Sequence, residues 1–298
     1  MRAAAILGPG NVSKTVAEFQ RATNVQWTSL IEQADAVIIF GGDGTIHHQL
    51  ATLLELDVPL LVVPCGSGND FARALGLRKC GDSIAAWRQF AAAAVNVRTL
   101  DLGLIRELAG EATVRLPPDG RSLRAGPAPQ SHYFSCVAGV GLDSQINRRA
   151  NQLPRWVRAH GGYALTATRE FVRFAPFPMK VSNNGDGPAA FRPTVLAAVA
   201  NAPSYGGGMR IAPRAKLDDG KLDLVRVRGM DVFKLFCLFP TVYFGRHLGF
   251  EEVEYQQTES VRIETEYPLD VYADGEFVCQ TPVEFSVAPK ALKVIVPE

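Results

Sequence analysis

Two short glycine-rich turns, each set directly behind a compact apolar run, constrain this chain more than anything else in it. Ala36–Phe40 ends at Gly41-Gly42-Asp43-Gly44-Thr45, and Leu60–Val63 ends at Pro64-Cys65-Gly66-Ser67-Gly68-Asn69-Asp70. Continuous runs of this length read as strands, and the stretch from Thr45 to Leu56 between them carries an amphipathic helical pattern. Strand, glycine-rich turn, helix, strand is the repeating unit of a parallel sheet. Ligands of open parallel sheets bind beyond the carboxyl ends of the strands, where both turns fall. Ala3–Leu7 and Val97–Ile105 add further strands, and Ser13–Arg21 and Ser83–Ala94 further helices.

The chemistry of the turns is that of a phosphate site. In the first, Gly41, Gly42 and Gly44 let the backbone approach an anion and offer it N–H groups. Asp43 suits a magnesium ion, and Thr45 opens the next helix near the anion. A plain strand-to-helix turn is the competing reading of that motif alone. In the second, Ser67 and Asn69 are short donors for phosphate oxygens beside Gly66 and Gly68, and Asp70 is a second carboxylate. Asn69-Asp70 can equally cap the helix that follows. Two such turns on neighbouring strand ends favour a nucleotide or phosphate site. G-x-x-x-x-G-K-[ST] does not occur, which excludes a P-loop.

Beyond about Glu107 the pattern changes. A polar, proline- and glycine-rich stretch to Gln130 reads as an insertion or long surface loop. Short strand-like runs then dominate: His132–Val137, Met179–Ser182, Thr194–Ala200, Leu222–Val227, Val261–Glu264, Leu269–Tyr272, Val283–Val287 and Leu292–Val296. Helical stretches interrupt them near Asn147–Phe174 and Val232–Phe244. The expected fold is therefore α/β plus all-β. An N-terminal α/β nucleotide-binding domain over 1–103 precedes a β-sandwich-like domain over 104–289, and the last strand, near 290–298, returns to the first domain.

A net charge of +1 over 298 residues gives no whole-molecule field for nucleic acid, so none is expected as a partner. Five scattered cysteines, without a C-x-x-C pair, suit a reducing cytosol and argue against a cysteine zinc site. No signal peptide is read at Met1–Gly10. The most apolar window, Phe233–Phe250, carries Lys234, Pro240, Arg246 and His247, which argues against a membrane span; its phenylalanines read as a core helix, with a lipid groove as the alternative. The expected location is cytoplasmic, with peripheral contact at a membrane.

Gly-Gly-Asp-Gly-Thr followed by Pro-x-Gly-Ser-x-Asn-Asp-Phe-Ala resembles the diacylglycerol kinase catalytic family, and most closely its bacterial soluble lipid kinases. The likeness continues in order through Asp101-Leu102-Gly103, Phe134 to Asp143, Asn201 to Met209, Lys216 to Asp223 and Asp274-Gly275-Glu276. It implies ATP as co-substrate, Mg2+ as cofactor and a lipid alcohol as acceptor. Asp43, Asp70 and Asp101 would face Mg-ATP, and Glu276 would take the proton of the lipid hydroxyl. Read without the resemblance, Asp274-Gly275-Glu276 is an ordinary β-turn. The resemblance also implies a structural magnesium held by Asp219 and the carbonyls of Lys216 and Lys221, where the bare reading is a hairpin.

Two places depart from the family. Leu7-Gly8-Pro9-Gly10-Asn11 stands where an Asn-Pro-x-[Ser/Ala]-Gly loop is usual, and no nucleotide contact is assigned to it. His47-His48 stands where Asn-Glu is common; adjacent helical residues point about 100° apart, so both cannot face one ligand. His48 is placed near the nucleotide, and Thr28 matches a threonine at the base end. Arg148, Arg149, Arg155 and Arg158, with Trp156 among them, form a basic segment suited to an anionic lipid surface, although a solvated helix face reads as well. A homodimer is a further expectation. The enzymatic rival is a related kinase with a soluble acceptor, since NAD kinases and phosphofructokinases share Gly-Gly-Asp-Gly. The rival of another class is a non-catalytic lipid or nucleotide sensor.

Overall fold

The computed structural model describes residues 1–108, 131–152, 175–183 and 189–297. Most of the polar stretch to Gln130, and the helix expected past Gln152, lie outside them. The chain divides into two units, Met1–Leu102 with Leu217–Gly220 and Ala288–Glu298, and Gly103–Lys216 with Lys221–Val287.

The first unit runs β1 (Arg2–Leu7), α1 (Ser13–Ala22), β2 (Gln26–Trp27), β3 (Ala36–Gly41), α2 (Asp43–His47), α3 (Leu50–Leu56), β4 (Leu60–Pro64), α4 (Asp70–Ala74) and α5 (Cys80–Ala93). It also takes the start of β5 (Val97–Glu107) and the end of β15 (Val283–Ile295). Its sheet is parallel, in the order β2-β1-β3-β4-β15, with Val37 opposite Leu60, Gly41 opposite Pro64 and Leu60 opposite Val294. All six residues of β3 are buried, as a strand covered on both faces requires. Phe40 packs edge-to-face on Phe19 of α1, 5.5 Å between centroids, and Trp87 of α5 closes on Phe19. The Ser83 hydroxyl donates to the Val62 carbonyl at 2.8 Å, tying α5 to β4. The Asn96 amide donates to Val296 O at 2.7 Å and to Ala86 O at 2.9 Å, anchoring the last strand.

The second unit is a β-sandwich. It holds β6 (Ser131–Phe134), β7 (Val137–Gly141), α6 (Leu142–Gln152), β8 (Phe177–Asn183), β9 (Arg192–Ala200), β10 (Leu222–Arg228) and α7 (Val232–Val242). β11 (Val253–Thr258), β12 (Ser260–Thr265), β13 (Asp270–Ala273), β14 (Glu276–Gln280) and the start of β15 follow. Its pairings are antiparallel, in the order β14-β13-β7-β9-β8-β12-β15; β10 joins β9 to β11, and β6 pairs with β5. Phe134, Val140, Val199, Leu224, Ile263, Val271 and Phe285 lie within one apolar core.

Four sequence expectations need correction. The helix read over Thr45–Leu56 is two helices, parted at His48–Gln49, where Gln49 sits at φ −105° and ψ −7°. The strand read over His132–Val137 is broken at Ser135–Cys136, because the N–H groups there donate to the Asp274 carboxylate instead of to a neighbouring strand. Val283–Val287 and Leu292–Val296 are parts of one strand, bent where Lys290 takes φ +52°. The stretch Phe233–Phe250, read for a core helix, is core on one helix face only: Leu235, Leu238 and Val242 are buried, whereas Phe233 and Phe244 are 78% and 71% exposed.

Candidate active site

The two glycine-rich turns stand back to back in the first unit. A Cβ on Gly66 would lie 2.5 Å from the Gly42 Cα, and one on Gly42 would lie 2.8 Å from the Gly66 Cα. Gly42 is extended (φ −114°, ψ −171°), so it is glycine for the approach of the other turn and not for its dihedrals. The backbones are sewn together as well, since the Cys65 N–H donates to Gly41 O at 2.9 Å. Gly8 joins from the third side. Its N–H donates to Phe40 O at 2.8 Å, and a Cβ there would meet Thr45 Oγ1 at 2.8 Å. Thr45 is thus packed among Gly8 and Gly41, at the root of the turn.

Asp43 is the strut between the turns. Its Oδ2 accepts from the Asp70 N–H and its Oδ1 from the Phe71 N–H, both at 3.0 Å. These are N-terminal amides of α4, left without an intrahelical partner, and a carboxylate there is favoured by the helix dipole. Asn69, at φ +55°, closes the second turn. Its Oδ1 accepts from the Gly66 N–H at 2.8 Å and its amide donates to Gly66 O at 2.7 Å. Asparagine tolerates this left-handed backbone better than most residues. So Asn69 shapes the turn, while Gly66 and Ser67 stand exposed at its tip.

Asp70 is buried (2% exposed) and accepts from the Arg73 guanidinium, which also donates to Gly68 O at 2.8 Å. Asp101, equally buried at 1%, accepts from the Gly220 N–H at 2.7 Å through Oδ2 and from the Lys290 N–H at 2.8 Å through Oδ1. The Asp101 N–H in turn donates to Leu217 O at 2.6 Å. Asp101 therefore ties the loop Leu217–Gly220 and the bend of β15 to β5. The three aspartates are not equivalent: Asp43 joins two turns, Asp70 pairs with a cation, and Asp101 clasps two loops. Thr28 closes a local turn, its hydroxyl accepting from the Leu30 N–H at 3.2 Å. His48 is exposed and caps α2, with its ring 5.7 Å from that of His47. The half-buried Cys65 thiol in the second turn is pushed up by burial, against a lowering hydrogen bond from Thr15.

Asp219 belongs to the first unit, and Lys216 and Lys221 to the second. Among the described residues no group of three or more His, Cys, Asp or Glu side chains is gathered to hold a metal. Asp43 and Asp70 are oxygen donors of the kind a magnesium ion takes, although Asp43 already accepts from two amides and Asp70 from the Arg73 guanidinium. Such an ion takes most of its oxygens from phosphate and water and needs only one or two protein carboxylates.

In the second unit Glu276 starts β14 and is half-buried, beside the left-handed pair Asp274 (φ +51°) and Gly275 (φ +87°). Positive φ at both central residues is the hairpin geometry that suits a twisted two-stranded ribbon. Asp274 is more than a turn residue, a role the bare pattern did not reveal. Its Oδ2 accepts from the Ser135 N–H at 2.8 Å and the Ser135 hydroxyl at 3.1 Å, and its Oδ1 from the Cys136 N–H at 2.8 Å. This carboxylate fixes the turn that carries Glu276 onto the break between β6 and β7. Asp143, which is buried, accepts from the Tyr205 hydroxyl at 3.0 Å and fills the space above Gly139, where a Cβ would lie 2.2 Å from its Oδ2.

Arg148 stands at 3.8 Å from Asp270, a partly exposed ion pair worth little. Arg155, Trp156 and Arg158 lie outside the described residues. Among the described residues no helix is long and apolar enough to cross a membrane.

Comparison with known proteins gives a consistent family. Residues 7–105 match the profile described as diacylglycerol kinase catalytic domain, and residues 136–296 the profile described as YegS C-terminal NAD kinase beta sandwich-like domain. A diacylglycerol kinase of Mycobacterium tuberculosis is 34% identical over 269 residues, covering 88% of this chain and 77% of the relative. A diacylglycerol kinase of Bacillus subtilis is 24% identical over 281 residues, 93% of this chain and 82% of the relative. The crystal structure of a diacylglycerol kinase from Bacillus anthracis str. Sterne superposes with a TM-score of 0.62 at 18% identity, over 99% of this chain and 96% of that one, and so shares the fold.

Proposed function

This chain belongs to the diacylglycerol kinase family of lipid kinases, and from that premise we propose that it transfers the γ-phosphoryl group of ATP to a hydroxyl of diacylglycerol or a related lipid alcohol, with magnesium. The observation that carries the reading is the pair of glycine-rich turns locked back to back, with Asp43 spanning from one to the other. Such an arrangement presents N–H groups and small residues at the carboxyl ends of two parallel strands, where phosphate is well held.

In this reading Gly42, Gly44, Gly66, Ser67 and Gly68 line the phosphates, with Thr28 and His48 toward the rest of the nucleotide. Asn69 holds the second turn in its left-handed form. Asp43 and Asp70 are the carboxylates for a magnesium ion carried by the nucleotide, and Asp101 keeps the neighbouring loops in place. Magnesium would neutralise phosphate charge, which dominates the barrier to phosphoryl transfer. Glu276 takes the proton from the lipid hydroxyl as its oxygen bonds to the γ-phosphorus and the bond to the β-phosphate oxygen breaks, releasing ADP. Asp274 positions the turn that carries it.

The test is transfer of labelled phosphate from Mg-ATP to mixed micelles of diacylglycerol, phosphatidylglycerol, a sphingoid base or an isoprenoid alcohol, with NAD and sugar phosphates alongside. Labelling of one lipid class supports the proposal and names the acceptor. Labelling of NAD or a sugar alone overturns it, and nucleotide binding without any labelled product favours a sensor.

A further inference from the structure

The helix α7 is apolar on two opposite faces. Leu235, Leu238 and Val242 are buried against the second unit, at 4%, 4% and 6% exposure. At 100° per residue, Phe233, Phe236, Cys237 and Pro240 fall on the opposite side, and Phe244, just past the helix end, extends the same line. That side faces water: Phe233 is 78% exposed, Phe244 71% and Phe236 37%. A helix apolar all round belongs in a core or at a lipid boundary, and two phenylalanines this exposed on one stripe are unusual for a soluble surface.

The carboxyl-terminal end of the stripe is cationic, while Asp231 and Glu251 stand near its amino-terminal end. The C-terminal end of α7 sits on the loop that carries Arg210, whose N–H donates to Val242 O at 3.1 Å, and Gly245 packs against Pro213 of the same loop. The Arg246 N–H donates to Thr241 O at 3.0 Å. Both arginines are exposed, and among the described residues neither guanidinium is in an ion pair. Lys234, by contrast, is held by Glu252 at 2.6 Å. No carboxylate stands on the stripe itself.

We propose that the exposed stripe of α7, with Arg210 and Arg246 at its end, docks this protein on the surface of a bilayer containing anionic phospholipid. The phenylalanines enter the boundary between headgroups and acyl chains, and the arginines meet the headgroup phosphates. The choice of this occupant rests on the carboxyl-terminal end of the stripe, where the exposed Phe244 stands with two arginines outside any ion pair among the described residues, and on a lipid as the substrate. Anionic lipid complements that end, and a second copy of the chain, which in an antiparallel two-fold contact would set these arginines against Asp231 and Glu251, is the outcome the test holds against it. The inference rests on the reading of the substrate as a lipid, and it moves the membrane contact from the arginines around 148–158 to α7.

The experiment separates docking from chemistry. Vesicle sedimentation, without ATP, compares the full chain with Phe233→Ser/Phe244→Ser and with Arg210→Gln/Arg246→Gln, on phosphatidylcholine alone and mixed with phosphatidylglycerol. The phenylalanine pair is expected to weaken binding about a hundredfold on the mixed vesicles. The arginine pair is expected to weaken it about thirtyfold there, and to leave binding to phosphatidylcholine unchanged. On a short-chain diacylglycerol presented as monomers, both variants are expected to keep the parent's kcat/KM while losing turnover at the vesicle surface. Vesicle binding undiminished in both variants overturns the proposal, as does a parent dimer that the phenylalanine pair converts to monomers without altering vesicle binding. Absence of labelled lipid from every form, with binding lost as expected, would instead fault the kinase reading and leave the docking face standing.

Discussion

Replacing Gly66 by alanine adds one methyl group at the place where the two turns touch. That Cβ would lie 2.5 Å from the Gly42 Cα and 3.2 Å from the Gly42 nitrogen. Carbon atoms settle at about 3.5–4.0 Å, so the turns must part by about 1 Å. The atoms met are backbone, which cannot swing aside as a side chain would. The Cys65 hydrogen bond to Gly41 and those of the α4 amides to Asp43 resist the parting, and the Asn69 bonds hold Gly66 fixed within its own turn. Overpacking of this kind costs about 1–3 kcal/mol. For a unit of this size that is a fall in melting temperature of roughly 5–15 °C. Gly10→Ala is the internal control. Nothing lies within 4 Å of its added Cβ, so it is expected to be neutral or stabilising by about 0.5 kcal/mol. Thermal unfolding of the two variants, followed by titration with Mg-ATP, reads both the cost and its consequence. We expect Gly66→Ala to melt lower and to bind nucleotide more weakly, because displaced turns no longer aim their N–H groups together. A Gly66→Ala protein that melts with the parent and binds nucleotide normally would refute the back-to-back packing and the phosphate site built on it.

Asp43→Asn leaves one accepting oxygen for two α4 amides and points an NH2 group at the other; calorimetry should show a loss of about 1–3 kcal/mol, with phosphate transfer reduced far more than folding. Asp274→Ala orphans the amides of Ser135 and Cys136, so urea unfolding should report at least about 2–3 kcal/mol lost from the second unit, and kcat should fall with KM for ATP little changed. His247 is fully buried, and burial pushes its imidazole below the usual range despite the hydrogen bond with the Ile211 carbonyl. The unfolded chain then binds the proton more readily than the folded one. Stability should therefore fall as pH drops below about 6.5, by at most about 1.4 kcal/mol per pH unit from this group. Denaturant midpoints between pH 5 and 7 should lose that slope in His247→Gln.

How much of this was readable in the sequence follows the strength of the local signals. The buried strands β3 and β4, each a continuous apolar run ending in glycine-rich turns, were legible because a strand covered on both faces has no alternative pattern. The edge strand β11, Val-Glu-Tyr-Gln-Gln-Thr, was not, because its faces are mostly polar and carry little periodic contrast. β14 escaped for a related reason, with only Cys279 of its five residues buried. At the site, residue type announced Asp43 and Asn69, but not what they hold. Asp43 reaches 27 and 28 residues along the chain to the amides of α4, and Asp274 reaches back 138 residues to Cys136. Such long-range partners leave no trace in local spacing. The helix at Val232–Val242 shows the opposite failure. Its apolar composition suggested a core, and only the burial of Leu235 and Leu238 opposite the exposure of Phe233 distinguishes a helix with one face in the fold and the other in water.

The most direct test of the central claim is phosphate transfer from Mg-ATP to micellar diacylglycerol by the parent and by Glu276→Gln, measured beside nucleotide affinity and melting temperature. Glutamine keeps the size and the turn, so folding and Mg-ATP binding should match the parent. The account predicts that transfer then falls by about a hundredfold or more, as loss of a general base does. A Glu276→Gln protein that phosphorylates lipid at the parent's rate, or a parent that phosphorylates none, would contradict it.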